Sequence, residues 1–214
     1  MVIKEALKEK GHPFIIPDCS RDDLPSFFKE MGYKTGAEIG VYMAGFTEKL
    51  CKSGLNIYGI DPWIPYGGGG KAHNTQPAQD ALFINAINKL KKYANFSVIR
   101  KTSMDALADF KDGSLDFVYI DGDHRFEYVA EDIVNWSRKV RTGGIVSGHD
   151  YKCTDPAVDK LLISKKLHLQ VGAIVDAYVR AFGIENFYAL GRSKPLREEA
   201  LNDIYLSWFW IKSN

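Results

Sequence analysis

The sequence lacks the features that mark membrane-spanning, secreted and nucleic-acid-binding proteins. None of its apolar runs approaches the roughly 20 residues that a bilayer-spanning helix needs. The N-terminal segment MVIKEALKEK contains no apolar core of a signal peptide. With 28 basic and 27 acidic residues the net charge is +1, so no overall field attracts nucleic acid or a membrane surface. We therefore expect a soluble, cytoplasmic protein that binds neither.

Cysteine is also scarce. The three cysteines, Cys19, Cys51 and Cys153, are odd in number and widely separated, which argues against a closed disulfide framework and against a zinc site. They are expected to be reduced thiols. The 214 residues are 45% hydrophobic, and this length and composition suit one well-cored domain spanning residues 1–214.

Segments typical of strands and of helices alternate along most of the chain. The predicted strands are 36–41, 56–60, 96–100, 115–120, 143–148, 186–190 and 204–212. The predicted helices are 21–33, 79–93, 103–110, a segment from Phe126 to Ile133, and 171–184. This alternation predicts a doubly wound α/β fold with a mostly parallel sheet covered on both faces. No helix separates the last two strands, which predicts an antiparallel edge.

Three segments fall outside this alternation. Residues 1–34 are expected to form an N-terminal helical segment that docks before the first strand. The glycine-rich stretch 66–79 is expected to be a mobile loop, and 151–170 an insertion with one helix. The loop and the insertion are expected to form the walls of a substrate site.

The turn after the first predicted strand, AEIGVYMAGFTEKL, is the first candidate for a ligand site, because ligands bind beyond the carboxyl ends of parallel strands. Gly40 allows a sharp turn, and Thr47 is suited to accept hydrogen bonds from amides in the next helix. A dinucleotide fingerprint requires G-x-G-x-x-G, but Tyr42 stands at its second glycine. The pattern instead places acidic Glu38 before the turn and Gly45 after it. An ordinary strand–helix turn remains the alternative.

The second predicted strand ends in an acid. Asp61 lies about 20 residues beyond the first turn, where an acid commonly binds ribose hydroxyls. Alternatively, Asp61 only initiates the turn before Pro62. Trp63 either covers an adenine ring or packs under the loop.

A second group of ionisable residues follows two other predicted strands. FVYIDGDH carries Asp121, Asp123 and His124 directly after an apolar strand, and His149 and Asp150 end the next one. Neighbouring parallel strands lie about 4.8 Å apart, so Asp121 and Asp150 are expected to converge. Two facing carboxylates repel unless they share a cation or a proton, and oxygen ligands suit Mg²⁺. The alternatives are a helix N-cap at Asp123, and turn or surface roles for the others.

Three motifs in register resemble class I S-adenosylmethionine-dependent methyltransferases. EIGVYMAGFT, GIDPW and VYIDGDHRFEYVAEDIVNWSRKVRTGGIVSGHDY cover roughly residues 35–151. They resemble in particular the macrocin-type small-molecule and sugar O-methyltransferases, of which cephalosporin hydroxylase is a relative. The resemblance implies a Rossmann-like sheet of seven strands, mostly parallel with an antiparallel last strand, and methylation of a small-molecule hydroxyl.

The resemblance also implies which residues bind S-adenosylmethionine (SAM). Glu38, Gly40 and Gly45 would surround the methionine part and Asp61 would hold the ribose. Thr102 and Ser103 would contact adenine, although they are equally suited to cap a helix. The full set of expected cofactor residues is Glu38, Gly40, Gly45, Thr47, Asp61, Trp63, Thr102, Ser103 and Asp121.

For catalysis, the resemblance implies that Asp121 and Asp150 bind Mg²⁺ or another divalent metal and that His124 is the general base. His149 stands where the family can carry a second acid, so it is a third candidate ligand. The alternatives are a metal-independent methyltransferase that uses His124 alone, an NAD-linked oxidoreductase on the same sheet, and a non-catalytic ligand-binding protein. The expected partner is a small-molecule substrate. The aromatic SWFW near the C-terminus is either an internal strand or the interface of a homo-oligomer.

Overall fold

The computed structural model describes residues 3–66, 75–152, 171–191 and 205–213. Within these ranges the strands are β1 (Gly11–Ile16), β2 (Thr35–Ile39), β3 (Asn56–Ile60), β4 (Phe96–Ile99), β5 (Leu115–Ile120), β6 (Val140–Gly148), β7 (Asn186–Leu190) and β8 (Ser207–Ile211). The helices are α1 (Ile3–Ala6), α2 (Leu24–Glu30), α3 (Gly45–Lys52), α4 (Gln76–Leu90), α5 (Ser103–Ala106), α6 (Phe126–Lys139) and α7 (Val171–Ala181), with 3₁₀ turns at Arg21–Asp23 and Leu107–Asp109. Residues 67–74 and 153–170 lie outside the described part of the chain, so most of the predicted loop 66–79, most of the predicted insertion and Cys153 have no structural outcome. At 76–79 the loop prediction is wrong, because these residues begin α4.

The eight strands form one sheet in the order β1-β7-β8-β6-β5-β2-β3-β4. Only β8 runs antiparallel to its neighbours, and helices lie against the sheet. The predicted Rossmann-like, doubly wound α/β fold is confirmed. The chain proceeds from β2 outward through β3 to β4, and then continues on the other side with β5 and β6. The order of the strands therefore reverses between β2 and β5, and such a switch point is where open α/β sheets bind ligands.

Two details of the sheet differ from the prediction. The sheet has eight strands instead of seven, because β1 in the N-terminal segment pairs in parallel with β7. Pro13 within β1 obscured this strand in the sequence, and proline is tolerated because β1 is at the edge of the sheet. The antiparallel strand β8 is not at the edge, since it lies between β6 and β7. The SWFW segment is accordingly a buried internal strand.

The hydrophobic core lies on both faces of the sheet. Along β5, Phe117 and Tyr119 face one layer, and Val118 and Ile120 face the other, as the two-residue period of a strand requires. Phe28 of α2 stacks on Phe117 with ring centroids 4.2 Å apart, so the N-terminal segment is packed against the centre of the sheet. None of the helices in the described part of the chain is long and apolar enough to cross a membrane.

One helix start and one helix cap differ from those predicted. Helix α4 begins at Gln76, earlier than predicted, because the Thr75 hydroxyl caps it by accepting a hydrogen bond from the Ala78 amide at 3.4 Å. Helix α6 begins at Phe126, so the prediction of an N-cap at Asp123 is wrong. The Asp123 carboxylate instead accepts from the amide of Arg125, two residues further on, at 3.0 Å. Asp123 therefore shapes the turn that leads into the helix.

Candidate active site

The turn after β2 is in direct contact with the turn after β5. Gly40 has φ +90°, and a Cβ atom at this position would lie 2.1 Å from the carbonyl oxygen of Asp121. Only glycine combines this backbone conformation with so close an approach. The predicted cofactor turn and the predicted acid cluster are therefore neighbours at the switch point of the sheet.

The rest of the first turn is held by Asp61 at the end of β3. Tyr42 and Ala44 have φ +50° and +58°, a left-handed conformation that costs about 1–2 kcal/mol for a residue other than glycine. Asp61 Oδ2 accepts hydrogen bonds from the amides of Val41 at 3.1 Å and Tyr42 at 2.9 Å, and Oδ1 accepts from the amide of Trp63 at 2.8 Å. Asp61 thus has the turn-forming role that was one of its two alternatives, and it also fixes the backbone beside the predicted ribose position.

Glu38 is a buried acid with an unsatisfied oxygen. Its side chain is at the carboxyl end of β2, the residue is 2% exposed, and Oε2 has no hydrogen-bond partner among the described residues. Burial raises the pKa of Glu38 to about 8, against the opposing effect of the adjacent Thr47 hydroxyl. Thr47 Oγ1 is itself buried, without a directed hydrogen bond to any described residue, and α3 begins after Ala44 with no side-chain cap. The prediction that Thr47 caps amides of α3 is therefore wrong. Glu38 and Thr47 thus form a polar end of the first turn, and one oxygen of each has no hydrogen-bond partner among the described residues.

Two other residues predicted to contact the cofactor differ in their surroundings. A Cβ atom at Gly45 would meet none of the described residues within 4 Å, so with respect to these residues the start of α3 faces open space. Trp63 is 1% exposed, donates from Nε1 to the carbonyl of Tyr42 at 3.2 Å, and packs edge-on against Phe83. Trp63 therefore packs under the loop, the second of its two alternatives, and its ring offers no face to an adenine.

Thr102 and Ser103 form hydrogen bonds within the protein. The Thr102 hydroxyl caps α5, since it accepts from the Asp105 amide at 3.1 Å. Ser103 Oγ accepts from Trp136 Nε1 at 2.7 Å and donates to the buried carboxylate of Asp132. Burial raises the pKa of Asp132 to about 7. Both hydroxyls thus have structural roles beside the predicted adenine position, and an adenine contact stays a prediction.

Three of the predicted catalytic side chains converge after β5 and β6. Asp121, His124 and Asp150 each offer one ligand atom, and these atoms lie within 4.8 Å of one another. His124 Nε2 is 2.9 Å from Asp150 Oδ2 and 3.6 Å from Asp121 Oδ1, but within the described part of the chain it makes no well-directed hydrogen bond. Burial lowers the pKa of His124, but the two carboxylates outweigh it and raise this pKa to about 10. Without a bound cation, the protonated ring balances the carboxylates as an ion pair.

His149 lies behind Asp150 and is not one of the converging residues. Its Nδ1 is 3.3 Å from Asp150 Oδ1, and both side chains are buried. Burial raises the pKa of Asp150, but His124 and then His149 outweigh it and hold this pKa well below its usual range. Asp150 also has φ +58°, and such strain in a residue other than glycine is typical of functional sites. The position of His149 suits a residue that orients Asp150 better than it suits a metal ligand.

One residue at this site was not predicted from the sequence. Arg21, from the 3₁₀ turn of the N-terminal segment, places Nη1 3.4 Å from Asp121 Oδ2. It is 100 residues away from Asp121 in the chain, and no motif surrounds it. Only the packing of the N-terminal segment against the sheet brings it to the acid cluster.

Comparisons with known proteins show the family and the fold of the chain. A family model described as a methyltransferase domain matches residues 34–151. The solved structure of an O-methyltransferase from Bacillus cereus in complex with S-adenosylhomocysteine (SAH) has a TM-score of 0.60 at 13% identity, over 90% of this chain and 80% of that one. The O-methyltransferase TomG from Streptomyces achromogenes, in complex with SAM, has a TM-score of 0.59 at 11% identity, over 90% of this chain and 79% of that one.

Two further matches limit what similarity alone establishes. The N-methyltransferase NodS from Bradyrhizobium japonicum has a TM-score of 0.58 at 14% identity, over 91% of this chain and 95% of that one. The fold is thus common to O- and N-methyltransferases. An uncharacterized protein of Sinorhizobium fredii, y4gI, is 38% identical over 61 residues, which are 28% of this chain and 7% of that protein. The chain therefore matches only a small part of that relative's length.

Proposed function

The chain belongs to the methyltransferase domain family, and on this premise we propose that it transfers the methyl group of SAM to a hydroxyl group of a small molecule. The resemblance to class I methyltransferases is confirmed by the family match and the fold. The observation that carries the proposal is the contact between Gly40 and Asp121. It places the predicted methionine-binding turn directly beside the converging carboxylates, so a methyl donor and a polarised hydroxyl would meet there.

The first turn suits SAM better than a dinucleotide. Glu38 Oε2, a buried acceptor without a partner among the described residues, would receive the ammonium group of the methionine part. The open space in front of Gly45 would accommodate the same part of the cofactor. The side chain of Tyr42 is on the turn where a dinucleotide site has glycine, so pyrophosphate would be crowded. These features disfavour the NAD-linked alternative.

The acid cluster suits a divalent metal ion. Two carboxylate oxygens and an imidazole nitrogen converge within 4.8 Å, and Nε2 of His124 is buried without a directed hydrogen bond. Carboxylate oxygens are ligands that Mg²⁺ and Mn²⁺ accept. In this proposal Asp121 and Asp150 hold the ion, and His149 orients Asp150. The ion would supply positive charge that lowers the pKa of the acceptor hydroxyl.

The remaining chemistry belongs to the chain itself. The methyl group of SAM is already activated, so the protein must place the acceptor oxygen in line with it. His124 is proposed to accept the hydroxyl proton at Nε2. This role requires a neutral ring, and a cation at the carboxylates would favour loss of the ring proton. Because its Nε2 is close to both carboxylates, His124 is also suited to be a third ligand of the metal ion. The roles of general base and metal ligand are separable by experiment.

A metal-independent methyltransferase is the second candidate, and one observation favours it. Without a metal, protonated His124 and Arg21 already balance the charges of Asp121 and Asp150. Methyl transfer that persists undiminished after treatment with a chelator would select this candidate.

Calorimetry with SAM, S-adenosylhomocysteine (SAH) and NAD, with and without Mg²⁺, tests the proposal. We expect micromolar binding of SAM and SAH and no binding of NAD. Micromolar binding of NAD alone would overturn the assignment. Binding of SAH without methyl transfer to any hydroxylated acceptor, in the wild type and in His124→Ala alike, would instead indicate a ligand-binding protein.

A further inference from the structure

Arg21 reaches the site from a segment that precedes the matched domain, and this segment is firmly anchored. Ser20 and Asp23 form a capping box around the 3₁₀ turn, in which the Ser20 amide donates to Asp23 Oδ2 at 2.8 Å. Asp22 of the same turn pairs with Lys49 of α3 at 2.5 Å. The turn is thus tied to the helix that follows the predicted cofactor turn. These contacts fix the backbone that carries Arg21 beside both halves of the site.

The contact of Arg21 with Asp121 is loose compared with another ion pair nearby. Arg21 approaches a single oxygen with a single nitrogen at 3.4 Å, and its side chain is 25% exposed. Arg125, in contrast, donates to the Asp123 carboxylate from Nε at 3.0 Å and from Nη2 at 2.6 Å. Donation from two nitrogens is the geometry of a tight arginine–carboxylate pair. The pair of Arg21 with Asp121 is therefore the less tight of the two.

The charge of Arg21 opposes the binding of a cation and favours the binding of an anion. With His124 neutral, the carboxylates of Asp121 and Asp150 and the guanidinium of Arg21 leave a single negative charge, which a divalent cation would convert to a single positive charge. A fixed positive charge this close to a ligand carboxylate weakens the attraction for a metal ion. The same charge also acts on Glu38, whose pKa it lowers. The charge of Arg21 therefore acts on both the methionine end of the cofactor turn and the acid cluster.

We propose that Arg21 is a carboxylate-binding residue, held by the N-terminal segment at the junction of the cofactor turn and the acid cluster. The inference rests on the proposed function, since that function supplies the two sources of a carboxylate at this junction. One is the methionine carboxylate of SAM, which would complement the ammonium at Glu38. The other is an anionic acceptor, in which a carboxylate accompanies the hydroxyl to be methylated. The planar guanidinium suits either.

Calorimetry on three proteins tests this inference: the wild type, Arg21→Met, and the control Asp22→Asn. The control breaks the pair with Lys49 on the same turn but leaves Arg21 in place. With Mn²⁺ alone, we expect Arg21→Met to bind about threefold to tenfold more tightly than the wild type, because a neighbouring positive charge is gone. A merely structural arginine would have the opposite effect, since its loss would disorder Asp121 and weaken Mn²⁺ binding.

Two further titrations identify the source of the carboxylate. SAH is titrated into each metal-free protein, and oxalate is titrated into each protein with and without saturating SAH. Loss of SAH affinity by about tenfold or more in Arg21→Met would assign the cofactor carboxylate. A similar loss confined to oxalate would assign an anionic acceptor. Arg21→Lys is expected to recover part of either loss.

The outcomes separate this inference from the proposed function. Equal SAH and oxalate binding in the wild type and Arg21→Met would overturn the inference, as would equal losses in Arg21→Met and Asp22→Asn. A wild type that binds no SAH contradicts the proposed function instead. In that case the oxalate titration still decides the role of Arg21.

Discussion

The backbone of Gly40 lies against the carbonyl group of Asp121 so closely that a Cβ atom at Gly40 would approach its oxygen to 2.1 Å. Gly40 also donates its amide hydrogen to the carbonyl of Ile60 at 2.9 Å, and Asp121 donates to the carbonyl of Ile39 at 2.8 Å. The turns after β2 and β5 therefore form one unit. A change that separates them should affect both the proposed cofactor turn and the proposed metal cluster.

Gly40→Ala is expected to be strongly destabilising. The substitution combines an unfavourable φ with a clash against backbone, so we expect a loss of about 3 kcal/mol or more in the free energy of unfolding. Gly32→Ala is the matched control, because Gly32 has φ +77° but nothing within 4 Å of the added atom. It should cost only about 1 kcal/mol. Urea denaturation measures both, and equal losses would show that the contact with Asp121 is not constraining.

Substitutions at Gly45 should separate binding from stability. An added side chain would enter open space at the start of α3, so Gly45→Leu is expected to change the free energy of unfolding by less than about 1 kcal/mol. The same side chain should occupy the proposed methionine position and reduce SAH affinity by about tenfold or more. Calorimetry with SAH checks this, and Gly45→Ala should be intermediate. Wild-type affinity in the leucine variant would remove Gly45 from the pocket.

The convergence of Asp121 and Asp150 was predictable because it follows from sheet geometry. Both residues end apolar strands, and β5 and β6 are parallel neighbours, so their carboxyl ends meet at one edge of the sheet. Asp61 directly follows β3, a parallel neighbour of β2, so the same geometry predicts that it lies beside the first turn. In contrast, nothing local distinguished the two roles open to Trp63, since its burial depends on Phe83 from a distant helix.

Arg21 and β1 were not predictable for a related reason. The contact of Arg21 with Asp121 joins residues 100 positions apart, and no periodicity or spacing in the sequence records such a pair. Strand β1 is interrupted by Pro13 and is completed by pairing with β7, nearly the full chain length away. Features created by long-range packing leave little local signal in one sequence.

Glu38→Gln should stabilise the ligand-free protein in alkaline solution. Burial raises the pKa of Glu38 from 4.5 to about 8, so the folded state resists ionisation of this carboxyl group. Wild-type stability relative to Glu38→Gln should therefore fall as the pH rises from about 4.5 through 8, and stay low above it. Thermal unfolding at several pH values measures the difference. The neutral amide should also weaken SAH binding at pH 8, where a carboxylate would pair with the ammonium; unchanged affinity would contradict this contact.

The two roles proposed for His124 predict different effects of His124→Gln. If the ring is the general base, kcat should fall by about 100-fold or more while Mn²⁺ affinity does not fall, because the ring proton that competes with the cation is removed. A metal ligand would instead lose Mn²⁺ affinity by about tenfold or more. We expect the first result, and titration of Mn²⁺ in the absence of SAM distinguishes the two without relying on turnover. His12→Gln, at an exposed residue of β1, is the control.

The ion pairs of His124 predict a specific pH dependence for the metal-free protein. Asp121 and Asp150 raise the pKa of His124 from 6.5 to about 10, so the protonated ring stabilises the folded state fully below pH 6.5. This contribution should decline as the pH rises and be lost near pH 10. The difference in melting temperature between the wild type and His124→Gln, measured with a chelator from pH 6 to 10, should shrink accordingly. Saturating Mn²⁺ should abolish the trend, because the cation replaces the ring proton in balancing the carboxylates. A difference independent of pH would show that His124 is not paired with them.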